Sequence, residues 1–281
     1  MSPAGDPRAI GVFDSGVGGL TVLAELNRRL PDESTMYLGD NARAPYGPRH
    51  ADEVQRFTLE AVDWLLSQDV KLLVLACNTA TARALPLVRE RSHVPVLGVV
   101  RPGAVAAAAA TRSRHVGVIA TAGTVESGAY PAAIIEADPA VHVAQQACPE
   151  LVPMVEAGIV DGRRAESVLR AYLEPLQAAD PGMDTLLLGC THYPLLRDPI
   201  ERIVGEDVAV VDSAFTTALA TEDLLDALGG RTPAGGSRPT HRVATTGSVD
   251  AFVGVARRLF GERLPDVELV EIEAGSPVPV D

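Results

Sequence analysis

The architecture of this chain can be inferred from the run Asp184-Thr185-Leu186-Leu187-Leu188-Gly189-Cys190-Thr191-His192-Tyr193-Pro194. Its apolar first half is short and follows the turn signal Pro181-Gly182, so it predicts a fully buried strand. Cys190 then stands at the carboxyl end of that strand, which is where open α/β sheets bind their ligands. A thiol, a hydroxyl and an imidazole in a single turn indicate a reactive site.

A second segment of the chain has the same form. The apolar run Lys71–Ala76 predicts another buried strand, and Cys77-Asn78-Thr79 follows it directly. Two of the three cysteines in the chain therefore follow strands of the same kind.

Each of these strands is preceded in the chain by a similar unit. Ile10–Asp14 predicts a strand that leads into the polar turn Ser15–Gly19 and a helix, and His115–Ala120 predicts a strand that leads into Thr121–Gly128. We interpret this pattern as an internal duplication. It predicts an α/β fold of two pseudo-symmetric lobes, each a mostly parallel sheet flanked by helices, with the active site in the cleft between them.

The two lobes are not contiguous in the sequence. Strands predicted at 243–247 and 267–272 would extend the first sheet, which makes the second lobe an insertion. We therefore predict a first lobe of residues 1–99 and 213–281, which carries Cys77, and a second lobe of residues 100–212, which carries Cys190. Helices are predicted near 82–91, 103–110 and 223–228.

The composition limits the classes of partner. The chain has 281 residues, 47% of them hydrophobic, which is enough for one large or two modest lobes. A net charge of −13 opposes a phosphate backbone, so we expect no nucleic-acid partner.

The longest apolar tract, Val94–Ala110, is interrupted by Arg101, and the amino terminus has no signal-peptide pattern, so we expect a cytoplasmic protein without membrane contact. Three cysteines suit reduced thiols better than a disulfide framework.

Three kinds of cofactor are disfavoured, and we expect none. Lys71 is the only lysine and lies at the far end of its strand from the presumed site, which disfavours a pyridoxal phosphate Schiff base. The turn Asp14–Gly19 lacks the dinucleotide-binding register and the P-loop lysine, so we interpret it as a cradle for an amino acid. Asp14 would then pair with an ammonium or a proton-relay group. No two histidines show metal-ligand spacing, so we also expect no metal.

Two facing lobes would bring Cys77 and Cys190 to one small ligand from opposite sides. That geometry suits a two-base racemisation, in which one residue removes an α-proton and the other delivers a proton to the opposite face. A thiol can serve in either role because nearby charge readily lowers its pKa. The simpler interpretation is that each cysteine is a small core side chain, which is how we interpret Cys148. His192 can shuttle or polarise a proton, or it can be a surface or capping residue.

The ordered motifs of the chain resemble those of the glutamate racemases, within the cofactor-independent aspartate/glutamate racemase superfamily. The resemblance covers nearly the whole chain. The matching segments are Gly11–Thr21, Pro45-Tyr46-Gly47, Cys77-Asn78-Thr79, Gly103–Ala107, Thr121–Thr124, Leu151–Glu156, Gly189–Pro194 and Asp212-Ser213-Ala214. So many motifs in one order are far more specific than any single one.

The resemblance implies a role for each matching residue. Cys77 would act on D-glutamate and Cys190 on L-glutamate, with Asp14 and His192 tuning the adjacent thiols. Glu156 would be an auxiliary group near the second thiol, the alternative being a solvated helix glutamate. The residues implied to hold the substrate, besides Asp14 and His192, are Asn78, Thr79 and Thr191 at the α-carboxylate and ammonium, Ser15, Pro45, Tyr46 and Gly47 at the side-chain carboxylate, and Thr121 and Thr124 at the cleft.

The resemblance therefore implies an enzyme that interconverts L- and D-glutamate without a cofactor or metal, and that supplies D-glutamate for bacterial peptidoglycan synthesis. The close alternative is a racemase of a related small acid such as aspartate. A further alternative is a binding protein of the same fold, or a member whose main task is a protein partner such as gyrase. The family also leads us to expect a homodimer.

Overall fold

A computed structural model of the chain describes residues 5–233, 235, 238–261 and 265–272. Strands and helices alternate along these residues. The strands are β1 (Ile10–Asp14), β2 (Thr35–Gly39), β3 (Leu72–Leu75), β4 (Val96–Gly98), β5 (His115–Ala120), β6 (His142–Ala147), β7 (Thr185–Gly189), β8 (Ala209–Asp212), β9 (His241–Thr245) and β10 (Val267–Leu269). The helices are α1 (Leu20–Arg29), α2 (Ala51–Ser67), α3 (Asn78–Arg91), α4 (Val100–Ala110), α5 (Ala122–Ser127), α6 (Ala129–Ala137), α7 (Leu151–Glu156), α8 (Gly162–Ala179), α9 (Arg197–Val204), α10 (Ser213–Leu228) and α11 (Val249–Phe260), with a short 3-10 helix at Tyr193–Leu196.

The strands form two separate parallel sheets. The first has the order β10-β9-β2-β1-β3-β4, and the second has the order β6-β5-β7-β8. β1 and β7 each lie inside their sheet and are fully buried along their length, because helices cover both faces. The predicted α/β class, with two mostly parallel sheets flanked by helices, is confirmed.

The helices that connect the two sheets, α4 and α10, begin at Val100 and Ser213. α4 contacts β7 and β8 of the second sheet, whereas α10 returns to pack against α1 of the first. β9 and β10 join the first sheet, as the tail strands were expected to do. The division into 1–99 plus 213–281 and 100–212 stays a prediction, and its segments 1–4 and 273–281 lie outside the described residues.

Several helices begin earlier than the sequence predicts. α3 begins at Asn78 instead of near residue 82, because the sulfur of Cys77 accepts the Ala80 N–H and caps the helix. α10 begins at Ser213 instead of near 223, since the Asp212 carboxylate accepts the N–H groups of two residues in its first turn. α4 also begins three residues early, at Val100. The segment Thr121–Gly128 that follows β5 is mostly the short helix α5.

In the part of the chain that the structure describes, no helix combines the length and the apolar character needed to cross a bilayer.

Candidate active site

A cavity of about 560 Å³ lies at the carboxyl ends of strands from both sheets. Because all strands within a sheet are parallel, the residues that follow β1, β3, β5 and β7 meet at this edge. The predicted site residues that line the cavity are Ser15, Pro45, Tyr46, Gly47, Cys77, Asn78, Thr79, Thr121, Glu156, Cys190, Thr191 and His192. Asp14 and Thr124 do not line it, but each is hydrogen-bonded to a residue that does. Cys77 and Cys190 thus reach one shared cavity, each from its own sheet.

Cys77 is held at the start of α3. Its sulfur accepts the Ala80 N–H at 3.4 Å, and its thiol donates to the Ser15 hydroxyl at 3.5 Å. Burial, and then the nearby Asp14 carboxylate, raise the pKa of the Cys77 thiol to about 12 against the opposing hydrogen bonds. Cys77 therefore carries its proton at neutral pH and can act as a proton donor.

Cys190 lies at one end of a chain of three polar groups. Its sulfur is 3.9 Å from His192 Nδ1, and His192 Nε2 is 3.0 Å from Glu156 Oε1. Burial opposes protonation of His192, but the hydrogen bonds with Cys190 and Glu156 outweigh it and raise its pKa to about 10. At neutral pH an imidazolium thus stands beside the Cys190 sulfur and stabilises negative charge on it. Glu156 contacts the thiol only through His192.

Asp14 is 1% exposed and lies behind the cavity wall. Its carboxylate accepts the Gly16 N–H at 2.9 Å and the Thr191 hydroxyl at 3.4 Å, so it joins the turn after β1 to the turn after β7. Burial raises the pKa of Asp14, while the charge of His192 and the hydrogen bonds lower it. Gly18 allows this close approach, because a Cβ there would overlap the His192 ring and the Thr191 hydroxyl.

The side-chain amide of Asn78 uses its oxygen in a hydrogen bond but leaves its nitrogen without a partner among the described residues. Its Oδ1 accepts the hydroxyl of Tyr130 at 2.6 Å. Its Nδ2 is buried and has no hydrogen-bond partner among the residues that the structure describes. A buried unpaired donor is costly, and in the wall of a cavity it indicates a group that the ligand satisfies.

Three threonines link the lobes beside Asn78. Thr79 Oγ1 is 2.9 Å from Thr121 Oγ1 and 3.3 Å from Thr124 Oγ1, and the latter two are 3.0 Å apart. The Gly123 N–H also donates to the Gly47 carbonyl at 2.9 Å. The Tyr46–Gly47 segment is thereby fixed against α5.

The side chain of Tyr46 serves to anchor this segment. It is 1% exposed, its ring lies 6.2 Å from that of Phe13, and its hydroxyl donates to Asp40. Because the hydroxyl is committed to Asp40, a contact between Tyr46 and a ligand would use its main chain.

The sequence did not predict every residue at the cavity. Tyr130 does not line the cavity but holds Asn78, which does. It was missed because it lies on α6 in the other lobe and carries no motif of its own. Cys148 was interpreted as structural, yet it also lines the cavity. Burial, and then the nearby Cys190, raise the pKa of Cys148 to about 12. The other lining residues outside the prediction are Gly16, Asn41, Ala44, Pro48, Ala122, Pro149, Val152, Pro153, Ser248, Ala251 and Val255.

Known proteins share this sequence and fold. The sequence model of the Asp/Glu/Hydantoin racemase family matches residues 10–221. A glutamate racemase from Oceanobacillus iheyensis is 48% identical over 257 residues, which cover 91% of this chain and 92% of that protein. The crystal structure of a glutamate racemase isoform from Bacillus anthracis superposes with a TM-score of 0.89 at 44% identity, over 94% of this chain and 98% of the other. A crystal structure from Francisella tularensis, of a glutamate racemase in complex with D-glutamate, superposes with a TM-score of 0.88 at 33% identity, over 96% and 100% of the two chains.

These matches extend over nearly the whole chain and include both cysteine turns. The resemblance inferred from the ordered motifs is confirmed. The chain therefore belongs to the glutamate racemases, within the Asp/Glu/hydantoin racemase family.

Proposed function

We propose that this protein is a cofactor-independent isomerase that interconverts L-glutamate and D-glutamate. The observation that carries the proposal is the pair of thiols, Cys77 and Cys190, that line one cavity from two different sheets. Its relatives at 43–48% identity are named glutamate racemases, which favours glutamate over aspartate as the substrate. In the bacterial setting that the family implies, the product would supply peptidoglycan synthesis.

The reaction from L- to D-glutamate begins at Cys190. Its thiolate, beside the His192 imidazolium, takes the proton from Cα, and the electron pair is left on the α-carbon and carboxylate. The Cys77 thiol then gives its proton to the opposite face of Cα. The reverse reaction exchanges the two roles, so each turnover leaves one thiol and one thiolate in the site.

The substrate groups have polar partners around the two thiols. The free Nδ2 of Asn78 would donate to the α-carboxylate, and Thr79 and Thr191 also line the cavity. Asp14 does not line the cavity, so it would act on the ammonium through Thr191, whose hydroxyl donates to it. Ser15 and the main chain of Pro45, Tyr46 and Gly47 also line the cavity and would hold the side-chain carboxylate, while Thr121 and Thr124 fix the wall between the lobes.

The proposal is tested by incubating the purified protein with L-glutamate in D₂O. We expect deuterium at Cα together with loss of optical activity, and no comparable exchange with L-aspartate. Exchange with L-aspartate alone would support the sister specificity. An inert L-glutamate that still binds would support a binding protein, including one that serves a partner such as gyrase.

Tyr130→Phe is expected to raise KM for glutamate about three- to tenfold with a smaller change in kcat. The tyrosine hydroxyl holds the Asn78 amide with its donor free, and one such hydrogen bond contributes about 0.5–1.5 kcal/mol. Steady-state kinetics of the variant checks this split between KM and kcat. Tyr172→Phe is the matched control, because the Tyr172 hydroxyl bonds to Glu150 at the surface. An unchanged KM in Tyr130→Phe would contradict the positioning role.

Homodimer formation and a cytoplasmic location stay predictions. Two apolar side chains on α10, Phe215 and Leu219, are 45% and 36% exposed and lie one turn apart, which supports self-association.

A further inference from the structure

His115, His142 and Asp180 form a cluster at the opposite end of the second sheet from the cavity. His115 is the first residue of β5 and His142 is the first residue of β6, and the parallel register pairs them directly. Their ring centroids are 5.3 Å apart. Asp180 follows the last residue of α8, where its carboxylate reaches both rings.

The nitrogen and oxygen atoms of these side chains converge on a small volume. His115 Nδ1 lies 2.7 Å from Asp180 Oδ1, and His142 Nδ1 lies 3.1 Å from Asp180 Oδ2. One ligand atom from each residue fits within a set whose members are all within 4.8 Å of one another. We propose that this cluster binds a divalent transition-metal ion, with zinc as the reference ion.

The spacing of the three donors suits zinc after a small adjustment. Zinc–ligand bonds of about 2.0–2.2 Å place tetrahedral ligand atoms roughly 3.4 Å apart. That is about 0.7 Å beyond the distance from His115 to Asp180 Oδ1 and about 0.3 Å beyond the distance from His142 to Asp180 Oδ2. The imidazoles can move by that amount because their side chains are 39% and 63% exposed. Asp180 is the fixed member, with its side chain 5% exposed and its Oδ1 accepting the Gly182 N–H at 3.3 Å.

The donor types define the class of ion. Two imidazoles and one carboxylate favour Zn²⁺, Cu²⁺ or Ni²⁺ over Mg²⁺ and Ca²⁺, which prefer sets made of oxygen. An imidazole binds a metal ion only in its neutral form, so binding weakens as the pH falls. A fourth position would face solvent beside the exposed His142.

The cluster lies far from the thiols. β5 has six residues and rises about 3.3 Å per residue, so roughly 17 Å separate His115 from the end of the strand that leads to Thr121. A bound ion would tie the starts of β5 and β6 to the end of α8. Its expected effect is on the stability of the second lobe, with racemase activity unchanged.

The test is a titration of chelator-treated protein with ZnCl₂, followed by calorimetry and by thermal unfolding. We expect one ion per chain and a rise in Tm. His142→Ala should weaken binding at least tenfold and abolish the rise in Tm, and because His142 is exposed the variant should fold normally. His93→Ala removes another exposed histidine and is the matched control, expected to bind as the unchanged protein does.

Three outcomes would overturn the proposal. They are the absence of saturable zinc binding, binding that survives in both His142→Ala and His115→Ala, and an equal response to MgCl₂. Titration with Co²⁺ tests whether the ion binds at the cysteines instead of at this cluster. Binding at a cysteine would give a thiolate-to-cobalt charge-transfer band.

Discussion

Cys77→Ser and Cys190→Ser should each lower kcat for glutamate racemisation by about 10²- to 10⁴-fold, the range for a positioned acid or base in proton transfer. A serine hydroxyl fills the same place but is far too weak an acid to alternate between proton donor and base. Both side chains line the cavity from opposite sheets, so neither can take over the role of the other. Circular dichroism detection of the two enantiomers measures the loss.

The two variants should differ in the exchange that they retain. With L-glutamate in D₂O, Cys190→Ser should lose exchange at Cα more severely than Cys77→Ser, and with D-glutamate the order should reverse. Cys148→Ser is the matched control, because Cys148 is a third buried cysteine at the same cavity and should lose far less activity. Small and equal losses in Cys77→Ser and Cys190→Ser would refute the assigned roles.

His192→Asn should lower kcat by about 10²- to 10³-fold, the usual cost of removing one group that stabilises charge in a transition state. In the proposed reaction, the imidazolium lies 3.9 Å from the sulfur that carries negative charge before it takes the α-proton of L-glutamate. Asparagine is smaller and neutral, so the cavity stays open while the charge is lost. The rate of Cys190 alkylation by iodoacetamide gives a second readout, and an unchanged rate would contradict this account.

The charge on His192 also predicts the alkaline side of the pH profile. Because its pKa is raised to about 10, the imidazolium is present at neutral pH and is lost as the pH rises through about 10, where kcat/KM should fall. Glu156 helps to raise this pKa, so Glu156→Gln should move the fall to lower pH. If kcat/KM of the unchanged protein and of Glu156→Gln fell at the same alkaline pH, titration of His192 would be excluded as the cause of the fall.

The sequence predicts the sheets well because their strands are short apolar runs with clear turns on either side. The thiol positions follow from those strands, since Cys77 and Cys190 come directly after β3 and β7. The starts of α3 and α10 were wrong for different reasons. The Cys77 sulfur caps α3, and a cysteine cap has no ordinary sequence signal, whereas the Asp212 carboxylate that caps α10 is an ordinary signal that the prediction overlooked.

Contacts between distant segments could not be predicted from the sequence. The pairing of Tyr130 with Asn78 depends on how α6 of one lobe meets α3 of the other. The meeting of His115 with His142 depends on the register of β5 and β6, which their separation along the chain does not reveal. For this reason the sequence predicted no metal-ligating pair of histidines.

The position of the Cys77 sulfur at the start of α3 affects how its anion would be stabilised during catalysis. When Cys77 gives up its proton, the new anion forms at the positive end of a helix of 14 residues, with the Ala80 N–H already directed at it. These dipoles are preorganised by folding and need no reorientation during a turnover. The proposed reaction would therefore form and discharge a buried anion on every cycle at a position where the helix already stabilises it.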